Sequence, residues 1–253
     1  MNPLFSLLSL GLLIAAASTG QAAPDTRVYE LRIYTVLPGR MPAMLARFRD
    51  HTCKLFEKHG MENIGYWTPM DAKDGAGEKL VYLLGYPSRE AAKKSWAEFS
   101  KDPDWIAART ASEADGKIVA KVESTFLNAT DYSPAIRVSS AGPRVFELRT
   151  YVTPAGKLPA LHARFRDHTR VFFTHYGMTN IAYWVPSDAD KGADHTLIYM
   201  LAHKNREAAA ASFTAFRADP GWIKVKGDSE RDGSLTTEIR SVFLTPTDFS
   251  PTK

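Results

Sequence analysis

Two stretches of this chain are nearly the same sentence: Val28 to Thr52 reads VYELRIYTVLPGRMPAMLARFRDHT, and Val145 to Thr169 reads VFELRTYVTPAGKLPALHARFRDHT. The likeness runs on at a constant offset of 117 residues, so that Arg27 matches Arg144, His51 matches His168, Trp67 matches Trp184, Trp105 matches Trp222 and Pro134 matches Pro251, with no gap. About half of the paired positions are identical. Two copies of this size, each near the lower end of ordinary domain length, describe a tandem duplication rather than a solenoid. The first copy is read as residues 23–134 and the second as 144–253, joined by the short linker AIRVSSAGP, residues 135–143.

Each copy has the same order of local patterns. Val28 to Thr35 alternates β-branched and aromatic residues as a strand does, Pro38-Gly39 turns the chain, and Arg40 to His59 places Met41, Leu45, Phe48, Thr52, Leu55 and Phe56 on one side of a helix. Gly60 stands where a helix stops. Asn63 to Thr68 and Leu80 to Tyr86 read as strands joined by the polar loop MDAKDGAGE. Ser88 caps a second helix, DPDW begins a short helical turn, and Ile118 to Leu127 alternates as a last strand. The order β-α-β-β-α-β predicts a ferredoxin-like, two-layer α+β domain.

The stretches VYELRIYTVLPGRMPAML, HGMENIGYW and SREAAKKSWAEFSKDPDW, with their second-copy partners, resemble the NIPSNAP family over nearly all of both copies. The resemblance implies a domain of the dimeric α+β barrel group, in which two ferredoxin-like sheets pair face to face. It also implies kinship with mitochondrial proteins that have membrane and quality-control partners, and it carries no general biochemical activity. A ferredoxin-like sheet bears helices on one face only, and its bare face favours association. Here the second copy can supply the partner within the chain, because a short linker keeps it at high effective concentration. The expected architecture is therefore two tandem ferredoxin-like domains closing an intrachain, pseudo-dimeric α+β barrel, with further oligomerisation left open.

On the first strand Tyr29, Leu31 and Ile33 point one way and Glu30, Arg32 and Tyr34 the other; Phe146, Leu148 and Thr150 against Glu147, Arg149 and Tyr151 repeat this. We expect the apolar set to meet the helices and the polar set to face the barrel interior. Polar groups on a buried face must be paired, since an unpaired buried charge is costly. Two readings stay open. One is a structural Glu–Arg bridge with the tyrosine hydroxyl as a further partner; the other is an anion or polar-ligand site built from Arg32 and Arg149.

His51 and His168 lie at the edge of the apolar helical stripe, a groove-lining position, and read either as ordinary boundary histidines or as the candidates for acid–base work or axial ligation of haem. Tyr66-Trp67 and Tyr183-Trp184 end the second strands, either as packing or as the aromatic lining of a barrel mouth. Cys53 corresponds to Arg170 in the second copy and reads as an ordinary helix residue. A single cysteine permits no intrachain disulfide.

Other features narrow the destination and the partners. Leu4 to Ala17 is an uncharged apolar run followed by small residues, the pattern of a signal peptide over residues 1–22 with cleavage after Ala22. It is shorter than the roughly 20 apolar residues of a spanning helix. That predicts an exported chain, periplasmic or secreted, with no transmembrane span after processing. The net charge of +4 is spread among interleaved acids and bases, so nucleic acid is not expected as a partner. The sequence has no glycine-rich phosphate loop, no HExxH, no nucleophile elbow and no zinc-type cluster, and no metal is expected. Three functional readings remain: a barrel that binds a small apolar or aromatic molecule, a cofactor-free or haem-dependent oxidoreductase, and a non-enzymatic protein-binding scaffold. The first two require a cavity with convergent polar groups; the third predicts a filled interior.

Overall fold

The computed structural model describes residues 25–139 and 142–253; the expectation of a signal peptide over residues 1–22 falls outside them. The first copy forms β1 (Val28–Val36), α1 (Met41–Arg47), α2 (Cys53–Lys58), β2 (Glu62–Pro69), β3 (Lys79–Tyr86), α3 (Arg89–Phe99), α4 (Pro103–Ser112) and β4 (Val119–Ala129). The second forms β5 (Val145–Val152), α5 (Leu158–Arg164), α6 (Arg170–His175), β6 (Thr179–Pro186), β7 (Thr196–His203), α7 (Arg206–Ala218), α8 (Pro220–Ser229) and β8 (Glu238–Pro246). The helical turn expected at DPDW is a full helix of 10 residues, capped by Asp102, whose side chain accepts from the Asp104 amide. Ser88 caps α3 as expected, accepting from the Ala91 amide. Gly60 and Gly177, at φ of 73° and 76°, end the first helical segment of each copy in the left-handed conformation that glycine tolerates.

Within each copy the strands lie in the order β4-β1-β3-β2 and β8-β5-β7-β6, and β2 then pairs with β8 and β4 with β6. Eight antiparallel strands thus close into one barrel, which leaves no free sheet edge. The closing ladders are short: Trp67 to Pro69 against Leu244 to Pro246, and Leu127 to Ala129 against Trp184 to Pro186. Paired ion bridges between the copies reinforce them. Arg49 grips Asp248 at 2.7 and 2.9 Å, and its counterpart Arg166 grips Asp131 at 2.8 and 2.9 Å. Arg89 meets Asp188 and Arg206 meets Asp71 at the same seams. The linker is docked as well, with Ile136 buried in the barrel core and its carbonyl accepting from Arg27 at 3.0 Å.

The barrel interior is a shared apolar core. Tyr29, Leu31, Trp67, Val81, Leu83 and Leu127 from the first copy interlock with Phe146, Leu148, Trp184, Ile198, Met200 and Leu244 from the second. Trp67 packs at a tilt on Phe146, 5.5 Å between ring centres, and Trp184 meets Tyr29 edge-on at 6.2 Å. This reverses the facing expected from sequence: the apolar set of β1 and β5 lines the barrel, and Glu30, Arg32, Tyr34, Glu147, Arg149 and Tyr151 face the helices. Both faces of the sheet are buried, so alternation along one strand separates two faces without saying which is which. The barrel side is lined by apolar side chains, whereas on the helix side the indole of Trp96 from α3 and the strand residues Tyr86 and His203 offer donors that can pair with a carboxylate.

The motif FRDHT, identical in both copies, is a π-helical turn between two short α-helices (Phe48–Thr52 and Phe165–Thr169). In each, the threonine hydroxyl donates to the carbonyl five residues back, Thr52 to Arg47 and Thr169 to Arg164, both at 3.1 Å. Phe48 and Phe165 pack on the sheet; Arg47 and Arg164, both buried, pair with Glu113 and Glu230. Asp50, His51, Asp167 and His168 are exposed. The two histidines therefore stand on the solvent side of the helix, not in the groove between helix and sheet; within each turn the inward positions are taken by Phe48 and Thr52, and by Phe165 and Thr169.

Candidate functional site

Each copy buries a carboxylate between sheet and helices. Glu30 pairs with Arg32 and also accepts from Tyr86 Oη at 2.8 Å, Trp96 Nε1 at 2.8 Å and Ser124 Oγ at 2.6 Å. Glu147 pairs with Arg149 and accepts from Ser241 Oγ and from His203 Nε2, the latter at 3.1 Å. Burial pushes the Glu147 carboxyl up, but the bond from His203 and the charge of Arg149 outweigh it and hold the group below its ordinary range. The structural half of the expectation for ELR is thus present in both copies, with the glutamates only 1% exposed.

The two networks differ at two positions. Tyr86 is replaced by His203, and Trp96 by Phe213. The indole of Trp96 lies over Arg32, with the guanidinium 4.2 Å from the ring centroid, and Arg32 Nε donates to Tyr82 Oη at 2.9 Å. The smaller phenyl of Phe213 lies 4.8 Å from Arg149, whose Nε is buried without a partner among the described residues, as is the hydroxyl of Tyr199.

This difference coincides with a cavity of about 530 Å³ in the second copy. Its floor is Arg149 and Tyr151 on β5 with Phe165 and Thr169 of the π-turn; its walls are Phe173, Phe213, Phe216 and Trp222. Arg217, Ile223, Lys226, Gly227, Thr236 and Ile239 surround its mouth, and the Arg164–Glu230 pair closes one side. In the first copy the corresponding depression, about 340 Å³, is bounded by Ser100, Trp105, Ile106, Arg109, Thr110 and Glu113 and stops short of Arg32. There Trp96 covers the arginine. Strand β4 also begins at Val119, two paired positions earlier than β8, so that Val119 stands where Thr236 flanks the mouth.

Of the residues expected at a site, Arg149 and Tyr151 come together in this cavity. Glu147 lies behind Arg149; in the first domain Tyr34 packs on Tyr82, while Glu30 and Arg32 line a separate open depression of about 600 Å³ beside Lys93, Trp96 and Ser124, which shares no residue with the counterpart of this cavity. Tyr66 and Tyr183 are buried in the helix–sheet layers, each with its hydroxyl on the asparagine three residues earlier. Trp67 and Trp184 are barrel core. His51 and His168 do not reach the cavity. His168 lines only a separate surface depression between α5 and α8, so a haem held through either imidazole does not fit the cavity. The cavity walls offer no histidine or cysteine, and among the described residues no group of three or more His, Cys, Asp or Glu side chains is placed to hold a metal. Burial pushes the Cys53 thiol up to about 11, as befits an inert helix residue. Sequence reasoning missed His203, Phe213 and Trp222. The usable signal for the first two was departure from the repeat rather than agreement with it.

The NIPSNAP family model matches residues 29–134 and again 146–251. The chain belongs to the NIPSNAP family. It carries two NIPSNAP domains in tandem, and these are the two halves of the barrel. A protein NipSnap homolog of Dictyostelium discoideum is 24% identical over 177 residues, spanning 65% of this chain and 70% of that protein. The fold is similar to that of an anthrone oxidase-like protein (TM-score 0.57, 13% identity, 88% of this chain and 92% of that one). It is also similar to that of a candidate monooxygenase from Lactobacillus acidophilus NCFM (TM-score 0.54, 12% identity, 88% and 94%). Coverage of that extent takes in both NIPSNAP domains, so the double-domain barrel is a shared architecture.

Proposed function

We propose that this NIPSNAP protein binds a small apolar or aromatic molecule in the helix–sheet cavity of its second domain, and that the first domain is a packing copy of the same site. The observation that carries the reading is the asymmetry of a duplicated structure. The place that Trp96 covers in one copy is an aromatic-walled cavity in the other, with one arginine and one tyrosine hydroxyl on its floor. Its volume falls in the range of small-molecule sites, and the walls of Phe173, Phe213, Phe216 and Trp222 are of the apolar, aromatic kind such sites use, with charged groups at floor and rim. The filled barrel supports a site outside the barrel rather than inside it.

The test uses N-phenyl-1-naphthylamine, a neutral aromatic whose fluorescence rises on leaving water. The parent protein should bind it, Phe213→Trp should abolish binding by copying the first domain, and Trp96→Phe should leave it in place. Failure of the parent to bind, or binding undiminished in Phe213→Trp, would overturn the proposal and leave the scaffold reading standing. Export belongs to the same proposal, supported by the apolar run and small residues before Ala23. Mass spectrometry of the cell-produced protein should find a chain beginning at Ala23, and a mature chain beginning at Met1 would defeat it.

A further inference from the structure

We infer that the ligand of the second-domain cavity is an anion, an aromatic or apolar body bearing one carboxylate- or sulfonate-like group held between Arg149 and Arg217. This rests on the cavity being the binding site and adds the chemical class of what enters it.

Four cationic side chains line the cavity, Arg149, Arg164, Arg217 and Lys226, against the single carboxylate of Glu230. Glu230 is already held by Arg164 at 2.7 Å and by Lys226 at 2.7 Å, so it cannot also neutralise the other two. Arg149 is paired with Glu147, yet its Nε has no acceptor among the described residues, whereas the same atom of Arg32 in the first domain is satisfied by Tyr82. Arg217 has no carboxylate partner among the described residues, and its counterpart in the first domain is Ser100. The domain that opened the cavity is thus also the one that placed an extra guanidinium at its mouth.

The two guanidinium carbons lie 4.8 and 5.9 Å from the ring of the same residue, Phe213, which puts a cation at the floor and a cation at the rim of one aromatic wall. A neutral apolar guest would cover Arg149 without giving its buried, free Nε an acceptor and would gain nothing from the exposed Arg217 at the rim. A guest with one anionic group gives them a partner through the forked hydrogen bonds that suit guanidinium and carboxylate or sulfonate, and its rings fill the walls. The arrangement therefore discriminates by charge as well as by shape.

Two probes with one skeleton separate this from the cavity reading itself: 8-anilinonaphthalene-1-sulfonate and neutral N-phenyl-1-naphthylamine. The sulfonate should bind the parent about tenfold or more tightly than the amine, and added salt should weaken the sulfonate alone. Arg217→Ser, which restores the first-domain residue at an exposed position, should bring the ratio of the two affinities to within about threefold. Phe213→Trp should abolish both. Amine binding with no preference for the sulfonate, or a preference unchanged in Arg217→Ser, overturns the inference and leaves the cavity reading intact. Absence of both, or sulfonate binding that survives Phe213→Trp, overturns the two together.

Discussion

His203 Nε2 lies 3.1 Å from Glu147 Oε2, in the place where the hydroxyl of Tyr86 donates to Glu30 in the first domain. The carboxylate, its arginine and a serine donor are kept in both domains, while Tyr86 gives way to His203 and Trp96 to Phe213, which donates nothing. Glu30 has Arg32, Tyr86, Trp96 and Ser124; Glu147 has Arg149, His203 and Ser241. The constant part is the ion pair along the first strand of each domain, and the variable part is the wall of the site.

Removing one member of that pair should be expensive. Arg32→Ala leaves Glu30 charged and buried with neutral donors only, and we expect a loss of about 3–5 kcal/mol, the usual cost of orphaning a buried charge. Urea denaturation of the variant against the parent measures it, and a midpoint equal to the parent's would refute the structural role of the pair.

His51→Ala and His168→Ala should do little. Both imidazoles are exposed and make no contact with the cavity, so each change should shift stability by no more than about 0.5 kcal/mol. Probe binding should be unaltered in both variants. A changed probe affinity in either would place that histidine back at the site.

The repeat made the fold legible: matched strands, helix stops and caps at Gly60, Ser88 and their partners give two ferredoxin-like units, and a bare sheet face gives their pairing. What the repeat hid was the site. Identity at Glu30/Glu147 and His51/His168 drew attention to positions held constant by packing, or merely exposed, while the cavity depends on Trp96 against Phe213 and on Ser100 against Arg217. The face of β1 was not legible either, because a strand buried on both sides alternates between two interiors. Nor does helical spacing announce a π-turn: the wheel puts Thr52, Leu55 and Phe56 on the buried side, where they are, but sets His51 at a groove edge when it is exposed.

Acid should destabilise the protein from one side only. Glu147, Glu113, Glu230, Asp131 and Asp248 are all held below their ordinary range. Burial opposes this in the glutamates, where bonds from His203, Arg47, Lys226 and Arg164 outweigh it, and Arg166 and Arg49 act directly on the aspartates. A depressed carboxylate contributes fully above its unfolded value, near pH 4, and loses that contribution as pH falls through the lower folded value. Urea midpoints should therefore be flat from about pH 5 to 7 and fall steeply below about pH 4. Glu147→Gln should flatten part of that fall, and an acid limb identical to the parent's would mean that the pair carries no linkage.

The last prediction concerns the duplication itself. In the intact chain β2 finds its outer neighbour in β8 and β4 finds its own in β6, so each domain supplies the edge that the other lacks. Cutting between the domains exposes two unpaired strand ends and the apolar face holding Tyr29, Leu31, Trp67, Val81 and Leu83, and it parts Arg49 from Asp248 and Asp131 from Arg166. Residues 25–139 expressed alone should therefore form a symmetric dimer, with its own β4 standing in for β8, or aggregate. Because the partner is no longer tethered, its melting temperature should rise with protein concentration. Light scattering coupled to size exclusion decides the matter: a single domain that is monomeric and as stable as the intact chain would show that the barrel is not what holds each half together.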